Sequence, residues 1–242
     1  MKSNNPLYLS LVIPCFNEDK RIKLGLQRAV DYLKQQKYTW EIILVDDGST
    51  DQTYKLASKI IRETERTGIK RIRMIQHEKN LGKGATVKTG ILTSQGKYVV
   101  FSDIDLSTPI SELPKLLRSL RDSQVAIGVR RHPESRVIKH QPILRELLGQ
   151  VFTKLTNWLV VPGIYDVTCG FKGFQSIAAK KIFSQVKIAR WAFDAEVLYL
   201  ARKNKFKIAQ VPIIWSDNHA TKVNMFCDGW RAFWDLVRIK FG

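Results

Sequence analysis

The sequence has few cysteines and no long hydrophobic run. Its three cysteines, Cys15, Cys169 and Cys227, lie far apart and form neither a CxxC metal motif nor an even set for disulfides. This usage predicts a protein of a reducing compartment, with the cytosol as the default. No stretch reaches the roughly 18 uncharged apolar residues that span a bilayer. We therefore expect a chain that does not cross a membrane.

Two common nucleotide-binding fingerprints are also missing. No GxGxxG follows the first predicted strand, which argues against a dinucleotide-binding site. The turn at residues 80–84 has two glycines and Lys83, but it lacks the serine or threonine and the spacing of a P-loop. The four histidines share no metal-ligand spacing. These absences exclude a P-loop ATPase and a histidine-based metal site.

Acidic residues are scarce relative to basic ones. The 242 residues contain 22 acidic and 40 basic side chains, for a formal charge of +18 at pH 7. Such a charge predicts an anionic partner, which could be nucleic acid, a phosphorylated small molecule or an acidic membrane surface. A nucleic-acid-binding module is supported only by this charge, and that class needs no carboxylates at the ends of strands. We therefore expect no nucleic-acid partner.

Apolar runs rich in β-branched residues alternate with segments of helical periodicity. This alternation predicts an α/β protein in which strands are joined through helices into a largely parallel sheet. We expect Asn17 to cap the first helix. The spacing of apolar residues also predicts helices over residues 142–160 and 225–241. The predicted strands are residues 9–14, 40–45, 72–75, 98–102, 125–129 and 207–215.

Acidic residues directly follow several of these strands, at Glu18, at Asp46 with Asp47, and at Asp103 with Asp105. The carboxyl ends of strands in an open α/β sheet form the ligand crevice, so these groups should converge. Carboxylates that converge repel each other unless a cation offsets their charge. A divalent cation, Mg²⁺ or Mn²⁺, is therefore expected. The alternative is that strand-end aspartates cap the next helix, which we favour for Asp51.

The spacing of Asp103 and Asp105 suits a metal-bound phosphate. Alternate residues of an extended chain point the same way, which places both carboxylates on one side. Hard cations often bridge one or two carboxylates to substrate phosphates. The pattern predicts a donor that carries a diphosphate, although a DxD pattern alone is common.

Four segments occur in a fixed order: VIPCFNE (12–18), VDDGSTD (45–51), NLGKG (80–84) and DIDLS (103–107). Together they resemble family 2 glycosyltransferases with the GT-A fold. Two later segments resemble the dolichyl-phosphate sugar synthase group, and above all its glucosyltransferase branch: DVTCGFK (166–172) and RWAFDAE (190–196).

The resemblance implies a GT-A fold, which is a Rossmann-like nucleotide-diphospho-sugar transferase fold with a mainly parallel central sheet flanked by helices. It implies one domain over residues 1–242. Within that domain, residues 1–106 would bind the nucleotide sugar and residues 107–220 the acceptor. Residues 221–242 would form a C-terminal amphipathic helix.

The resemblance also implies roles for the donor side of the site. Asp103 and Asp105 would bind the metal on the donor diphosphate, with Asp105 the more direct ligand and Ile104 between them at the substrate. Mannosyl relatives often carry a metal-site glutamine at the position of Ser107, and water could replace that ligand here. The base and ribose of the nucleotide would be held by Pro14, Phe16, Glu18, Val45 and Asp47.

The resemblance assigns Arg130 to the phosphates and Arg145 to the acceptor phosphate. It assigns Lys222 to a loop that closes over the donor. Asp166 would position the acceptor or act as a base. A phosphate monoester is already largely ionised near neutral pH, so we expect positioning to dominate. Asp194 is open between a role at the acceptor and a structural role in the first turn of its helix.

The implied activity is that of an inverting glycosyltransferase that moves glucose from UDP-glucose to a polyprenyl or dolichyl phosphate. A GDP-mannose-dependent mannosyltransferase, or an enzyme with a non-lipid glycan acceptor, is the alternative. A lipid acceptor implies a peripheral protein on the cytoplasmic face of a membrane. The helix at 142–160, with Phe152 and Trp158, and the terminal helix, with Trp230, Phe233 and Trp234, could lie in that surface or pack on the sheet.

Overall fold

The structure is a computed structural model that describes residues 6–218 and 225–241. Strands and helices alternate through the first half of the chain, as predicted. The strands are β1 (Leu9–Cys15), β2 (Trp40–Asp46), β3 (Ile72–Gln76), β4 (Tyr98–Ser102), β5 (Val125–Val129), β6 (Arg136–Lys139), β7 (Phe171–Gln175), β8 (Ile208–Pro212) and β9 (Ile214–Ser216). The helices are α1 (Ile22–Lys34), α2 (Thr53–Arg66), α3 (Lys83–Thr93), α4 (Leu113–Ser119), α5 (Ile143–Leu159), α6 (Ser176–Gln185), α7 (Phe193–Lys203) and α8 (Met225–Phe241).

The central sheet has seven strands in the order β3-β2-β1-β4-β7-β5-β8. Strand β1 pairs in parallel with β2 and β4, and β2 and β5 pair in parallel with β3 and β8. Strand β7 alone runs antiparallel, between β4 and β5. The predicted α/β class with a mainly parallel sheet is confirmed.

Two apolar clusters cover the two faces of this sheet. Alternate residues of β1 point to opposite sides, so Leu11 joins the cluster under α1, α2 and α4, and Val12 joins the cluster under α3, α6 and α7. Both side chains are fully buried. Full burial of an aliphatic side chain contributes about 1.5–3 kcal/mol, so the two clusters stabilise the sheet whose carboxyl edge carries the loops of the cleft.

Most predicted elements are confirmed to within one or two residues, but the segment 207–215 is not one strand. It divides into β8 in the central sheet and β9, which pairs with β6 in a separate two-stranded sheet. Pro212 ends β8, and a proline has no N–H with which to continue a ladder. The division carries the chain from the central sheet towards the loop after β4, where Ser216 N–H donates to Ser107 O at 2.9 Å.

The prediction that Asn17 caps the first helix is wrong. Helix α1 begins at Ile22, and Asn17 instead adopts a positive φ of 53°. Its side-chain oxygen accepts a hydrogen bond from Thr50 N–H at 2.8 Å, which joins the loop after β1 to the loop after β2. Asp51 caps the next helix, as we favoured from the sequence. Its carboxylate accepts a hydrogen bond of 2.9 Å from the N–H of Thr53 at the start of α2.

Both predicted amphipathic helices form, and each buries only part of its surface. On α5, Phe152 and Leu155 pack against the apolar cluster that includes residues of α3, α6, α7 and α8. On α8, Leu236 is fully buried, Trp234 is half exposed, and the side chain of Trp230 lies outside the described part of the chain. Of the helices that the structure describes, none combines the length and the apolar character needed to cross a bilayer.

Candidate active site

A cleft lies at the carboxyl ends of the parallel strands, as the sequence predicts. It encloses a cavity of about 340 Å³. Ten of the predicted site residues line this cavity: Pro14, Phe16, Glu18, Asp47, Asp103, Ile104, Asp105, Ser107, Arg130 and Arg145. The fold therefore brings the expected donor and acceptor residues to one place.

Two predicted residues do not line the cleft, and a third lies outside the part of the chain that the structure describes. Val45 is fully buried in β2, where its side chain belongs to the apolar cluster on one face of the sheet. Asp166 is also fully buried, and it reaches the cleft only through Arg130. Lys222 lies outside the described residues.

The carboxylates of Asp103 and Asp105 lie in the turn that follows β4. Lys83 Nζ lies 2.6 Å from Asp103 Oδ1, and Ser107 N–H donates to Asp105 Oδ1 at 2.9 Å. Burial and the negative charge of Asp103 together raise the pKa of Asp105 above its ordinary value. The pair is therefore a concentration of negative charge that a bound cation would stabilise.

Two glycines allow this turn to sit where it does. A side chain on Gly25 of α1 would overlap the backbone carbonyl of Ile104, so α1 can approach the turn this closely only without a Cβ. A side chain on Gly170 would overlap the carboxylate of Asp103. Gly170 O also accepts a hydrogen bond from Asp103 N–H at 3.2 Å. The position of the carboxylate pair is thus fixed from both sides.

The carboxylate pair fits a divalent cation. Carboxylate oxygens are the ligands that Mg²⁺ and Mn²⁺ prefer, and Mg²⁺ commonly takes only one or two of them from the protein. Over residues 6–218 and 225–241, no group of three or more His, Cys, Asp or Glu residues is arranged to hold a metal. Asp103 and Asp105 would leave coordination positions open for the oxygens of a substrate phosphate and of water.

The glycine-rich turn before α3 is held by Asp47. Its carboxylate accepts hydrogen bonds from the N–H groups of Leu81 and Gly82 at 2.9 and 2.8 Å, and His77 Nδ1 lies 2.8 Å from Oδ1. The sequence interpretation placed Asp47 at the nucleotide. In the structure it borders the cavity while its oxygens fix the start of α3, which carries Lys83 into the cleft.

A buried ion pair lies at the side of the cleft that the sequence assigns to the acceptor. The guanidinium of Arg130 donates to both carboxylate oxygens of Asp166 at 2.6 and 2.8 Å and to Thr168 Oγ1 at 2.9 Å. Arg130 also stacks over Trp215, 5.3 Å from the ring centre. Burial alone would raise the pKa of Asp166, but Arg130 and Arg131 lower it to about 2. Asp166 is therefore a permanently ionised anchor for Arg130.

Arg145 provides a second guanidinium on the same side. It projects from α5, and its Nη1 lies 3.7 Å from Asp217 Oδ1. Burial lowers the pKa of Arg145; Asp217 opposes that shift and the positive charge of Arg130 adds to it. A partly desolvated arginine beside a second arginine is a site that an anionic phosphate would stabilise.

A buried chain of charges behind the cleft was not predicted. Lys172 of β7 is fully buried, and its ammonium group lies 2.6 Å from Asp194 Oδ1 and 2.5 Å from Cys169 O. The negative charge of Asp194 acts in turn on Lys83. The sequence left Asp194 open between two roles, and its contact with Lys172 favours the structural one. The sequence feature that could have predicted this buried ion pair is the lysine between the two phenylalanines of the strand FKGFQ.

Comparison with known proteins shows which family this chain resembles. Residues 10–183 match the family described as glycosyl transferase family 2. The human dolichyl-phosphate beta-glucosyltransferase is 37% identical over 244 residues, which cover 96% of this chain and 74% of the human protein. The enzyme of the same name from Saccharomyces cerevisiae is 34% identical over 99% of this chain and 76% of its own length.

Solved structures share the fold at lower identity. Glucosyl-3-phosphoglycerate synthase from Mycobacterium tuberculosis, in complex with Mn²⁺ and UDP-glucose, aligns with a TM-score of 0.69 and 18% identity over 97% of this chain and 79% of that one. Mannosyl-3-phosphoglycerate synthase from Rubrobacter xylanophilus aligns with a TM-score of 0.67 and 17% identity over 96% of this chain and 72% of that one. The GT-A fold expected from the sequence is confirmed.

Proposed function

The chain belongs to glycosyl transferase family 2, and from this premise we propose that it transfers glucose from UDP-glucose to dolichyl phosphate or a related polyprenyl phosphate. The names of its relatives in human, yeast and Dictyostelium discoideum, at 34–37% identity, support glucose as the sugar and dolichyl phosphate as the acceptor. UDP is supported by the shared fold of the mycobacterial synthase solved with UDP-glucose.

One feature of the cleft carries this proposal. A carboxylate pair, Asp103 and Asp105, and a guanidinium pair, Arg130 and Arg145, line the same cavity. Carboxylates suit a cation-bound diphosphate, and guanidinium groups suit the oxygens of a second phosphate. A cleft with both pairs can hold a nucleoside diphosphate sugar and a phosphorylated acceptor together.

Asp103 and Asp105 would hold Mg²⁺ or Mn²⁺ on the donor diphosphate. Bound there, a divalent cation would offset the negative charge that develops on the departing nucleoside diphosphate. Glu18, which is paired with Arg21 at 2.6 Å, lies on the neighbouring loop together with Phe16 at the edge of the cavity. We assign this loop to the nucleoside.

Arg130 and Arg145 would orient the acceptor phosphate. One of its oxygens attacks the anomeric carbon of glucose; the bond from that carbon to the diphosphate breaks on the opposite face, and the configuration inverts. The attacking oxygen is already ionised near neutral pH, so no side chain has to remove a proton. Asp166, held by Arg130, therefore positions the arginine and does not act as a base.

Metal-dependent transfer of sugar to lipid tests the proposal. We expect radiolabelled UDP-glucose, with a short polyprenyl phosphate and Mg²⁺ or Mn²⁺, to yield labelled lipid, and EDTA to abolish the label. GDP-mannose assayed in parallel should give none. Label from GDP-mannose would overturn the sugar assignment, and release of UDP only with a non-lipid acceptor would overturn the lipid.

The exposed face of α5 supports a membrane surface as a partner. Ile143 and Trp158 are 79% and 80% exposed, and Leu144, Leu147, Leu148 and Val151 are exposed between them. The same helix carries Arg145 into the cleft. Insertion of this face into the lipid interface would bring the acceptor side of the cleft to the phosphate of a membrane lipid, and the charge of +18 adds attraction to anionic lipids.

Substitution of Leu144 by aspartate should weaken membrane binding. Loss of one inserted leucine costs about 1 kcal/mol or more, so we expect at least a fivefold lower partition coefficient into vesicles that contain phosphatidylserine. Leu24→Asp on α1 is the matched control, because Leu24 and Leu144 are both 55% exposed. Co-sedimentation measures both variants. Equal losses for the two would show that α5 is not the membrane face.

A further inference from the structure

Lys83 occupies the position of a cation in the cleft. It is the first residue of α3, and its ammonium group lies 2.6 Å from Asp103 Oδ1. It also lies 5.5 Å from the centre of the Trp191 ring, over its face. All three side chains line the cavity in which we place the donor diphosphate. One carboxylate of the proposed metal pair is therefore already neutralised by a group of the protein.

The backbone of Lys83 is fixed although its side chain is long. Asp47 holds the N–H groups of Leu81 and Gly82, and a Cβ on Gly82 would overlap the carbonyl of Ala189. Asp103 is held by Gly170 from the other side. The ammonium group can therefore move over several ångströms by rotation of the side chain while both backbones stay in place.

The charges show why such a movement would be favourable. With no ligand bound, Lys83 neutralises Asp103 at 2.6 Å, and Arg21 Nη1 lies 3.9 Å from Asp105 Oδ2. A divalent cation on both carboxylates would supply the positive charge that Asp103 otherwise receives from Lys83, and it would place a positive ion beside the ammonium group. The diphosphate that arrives with the cation supplies new oxygens for an ammonium group, and lysine is a common phosphate ligand.

We propose that Lys83 is an exchanging counter-ion. Its ammonium group neutralises Asp103 in the free protein and transfers to the donor diphosphate when a divalent cation binds Asp103 and Asp105. This inference rests on the proposed use of a diphosphate donor and adds to it a residue and a coupling between the binding of the metal and of the diphosphate. Lys83 competes with the metal alone and cooperates with the metal and diphosphate together, so the two ligands should bind far better jointly than singly.

Binding of Mn²⁺ without nucleotide tests the competition directly. The signal of free Mn²⁺ in electron paramagnetic resonance gives the affinity with no need for catalysis. We expect Lys83→Met to bind Mn²⁺ at least fivefold more tightly than the wild type, because the competing ammonium group is gone. Lys83→Arg keeps the charge and should stay within twofold of the wild type.

Binding of UDP at saturating Mn²⁺ tests the second half of the exchange. We expect Lys83→Met to bind UDP at least tenfold more weakly, since the diphosphate loses its ammonium partner. The matched control is Lys97→Met, which removes the same charge at the opposite end of β4, roughly 20 Å away along the strand. Screening makes a charge at that distance ineffective, so the control should bind both ligands normally.

The combination of tighter metal and weaker nucleotide is specific to an exchange. Weaker or unchanged Mn²⁺ binding by Lys83→Met would overturn it, as would unchanged UDP binding. Circular dichroism verifies the fold, and Lys83→Gln repeats the measurement should the methionine variant not fold. If the wild type transfers sugar but the affinities do not diverge, only the exchange fails. If they diverge and no lipid is labelled, the exchange stands and the acceptor is wrong.

Discussion

Asp105→Asn is expected to abolish sugar transfer with little effect on folding. The carboxylate of Asp105 lies in the cleft beside Asp103, and we propose that it binds the metal ion on the donor diphosphate. Loss of a charge that stabilises the leaving group by about 4 kcal/mol reduces the rate roughly 10³-fold. The asparagine can still accept the hydrogen bond from Ser107 N–H that the structure shows at 2.9 Å.

Stability should move in the opposite direction from activity. Burial and Asp103 raise the pKa of Asp105, so at neutral pH the ionised carboxylate is less favourable in the folded state than in the unfolded one. Its removal therefore relieves a repulsion, and we expect a melting temperature equal to or slightly above that of the wild type. A substitution that merely damaged the fold would lower both quantities.

The test is to measure two quantities on the same preparation: the rate of sugar transfer at saturating Mn²⁺, and the temperature of thermal unfolding. Asp122→Asn is the matched control. It makes the same chemical change at a residue that lies exposed in the turn after α4, away from the cleft. Metal-dependent transfer by Asp105→Asn near the wild-type rate would eliminate the metal role of Asp105.

The location of the cleft could be predicted because the sequence pattern and the topology agree. Apolar runs that end in acidic residues, as at Asp47 and Asp103, reveal both the strands and the edge at which they meet. The antiparallel strand β7 was missed because its five residues include a glycine and a lysine. Only the pairing of β7 between β4 and β5 brings Lys172 under the site.

The detailed roles of charged residues were less predictable, since they depend on partners distant in the chain. Asp47 has the position expected of a nucleotide ligand, yet the N–H groups of Leu81 and Gly82, 34 and 35 residues away, occupy its oxygens. Arg130 and Asp166 were each recognised as site residues. The contact between them, across 36 residues of sequence, was not predicted. This contact indicates that Asp166 positions Arg130 and does not act as a catalytic base.

Asp166→Asn is expected to be the most destabilising of these substitutions. Its carboxylate is fully buried and receives three hydrogen bonds from Arg130, two from the guanidinium and one from the backbone N–H. Removal of one partner from a buried pair leaves the other charge uncompensated, at a cost of about 3–5 kcal/mol. Asp31→Asn, which breaks the exposed pair with Lys34, should cost less than about 0.5 kcal/mol.

The loss should depend on pH in a defined direction. Arg130 and Arg131 lower the pKa of Asp166 from 3.8 in the unfolded chain to about 2, despite its burial. A lowered pKa stabilises the folded state fully above the unfolded pKa and ceases to do so as the pH falls through the folded one. In chemical denaturation, the difference between wild type and Asp166→Asn should be constant from pH 7 to about pH 5 and shrink between pH 4 and pH 2.

A double-mutant cycle with Arg130→Lys then separates the two roles of Asp166. If Asp166 positions Arg130, each single variant already lacks a correctly oriented guanidinium: one has lost its anchor and the other has lost the guanidinium itself. The double variant should then transfer sugar about as slowly as either single one. If Asp166 were a base, its substitution would lower transfer by a further factor in the Arg130→Lys background and would change the pH profile. Equal stability of Asp166→Asn and the wild type at pH 7 would contradict the anchoring role itself, because an uncompensated Arg130 at the proposed acceptor site would lower the stability.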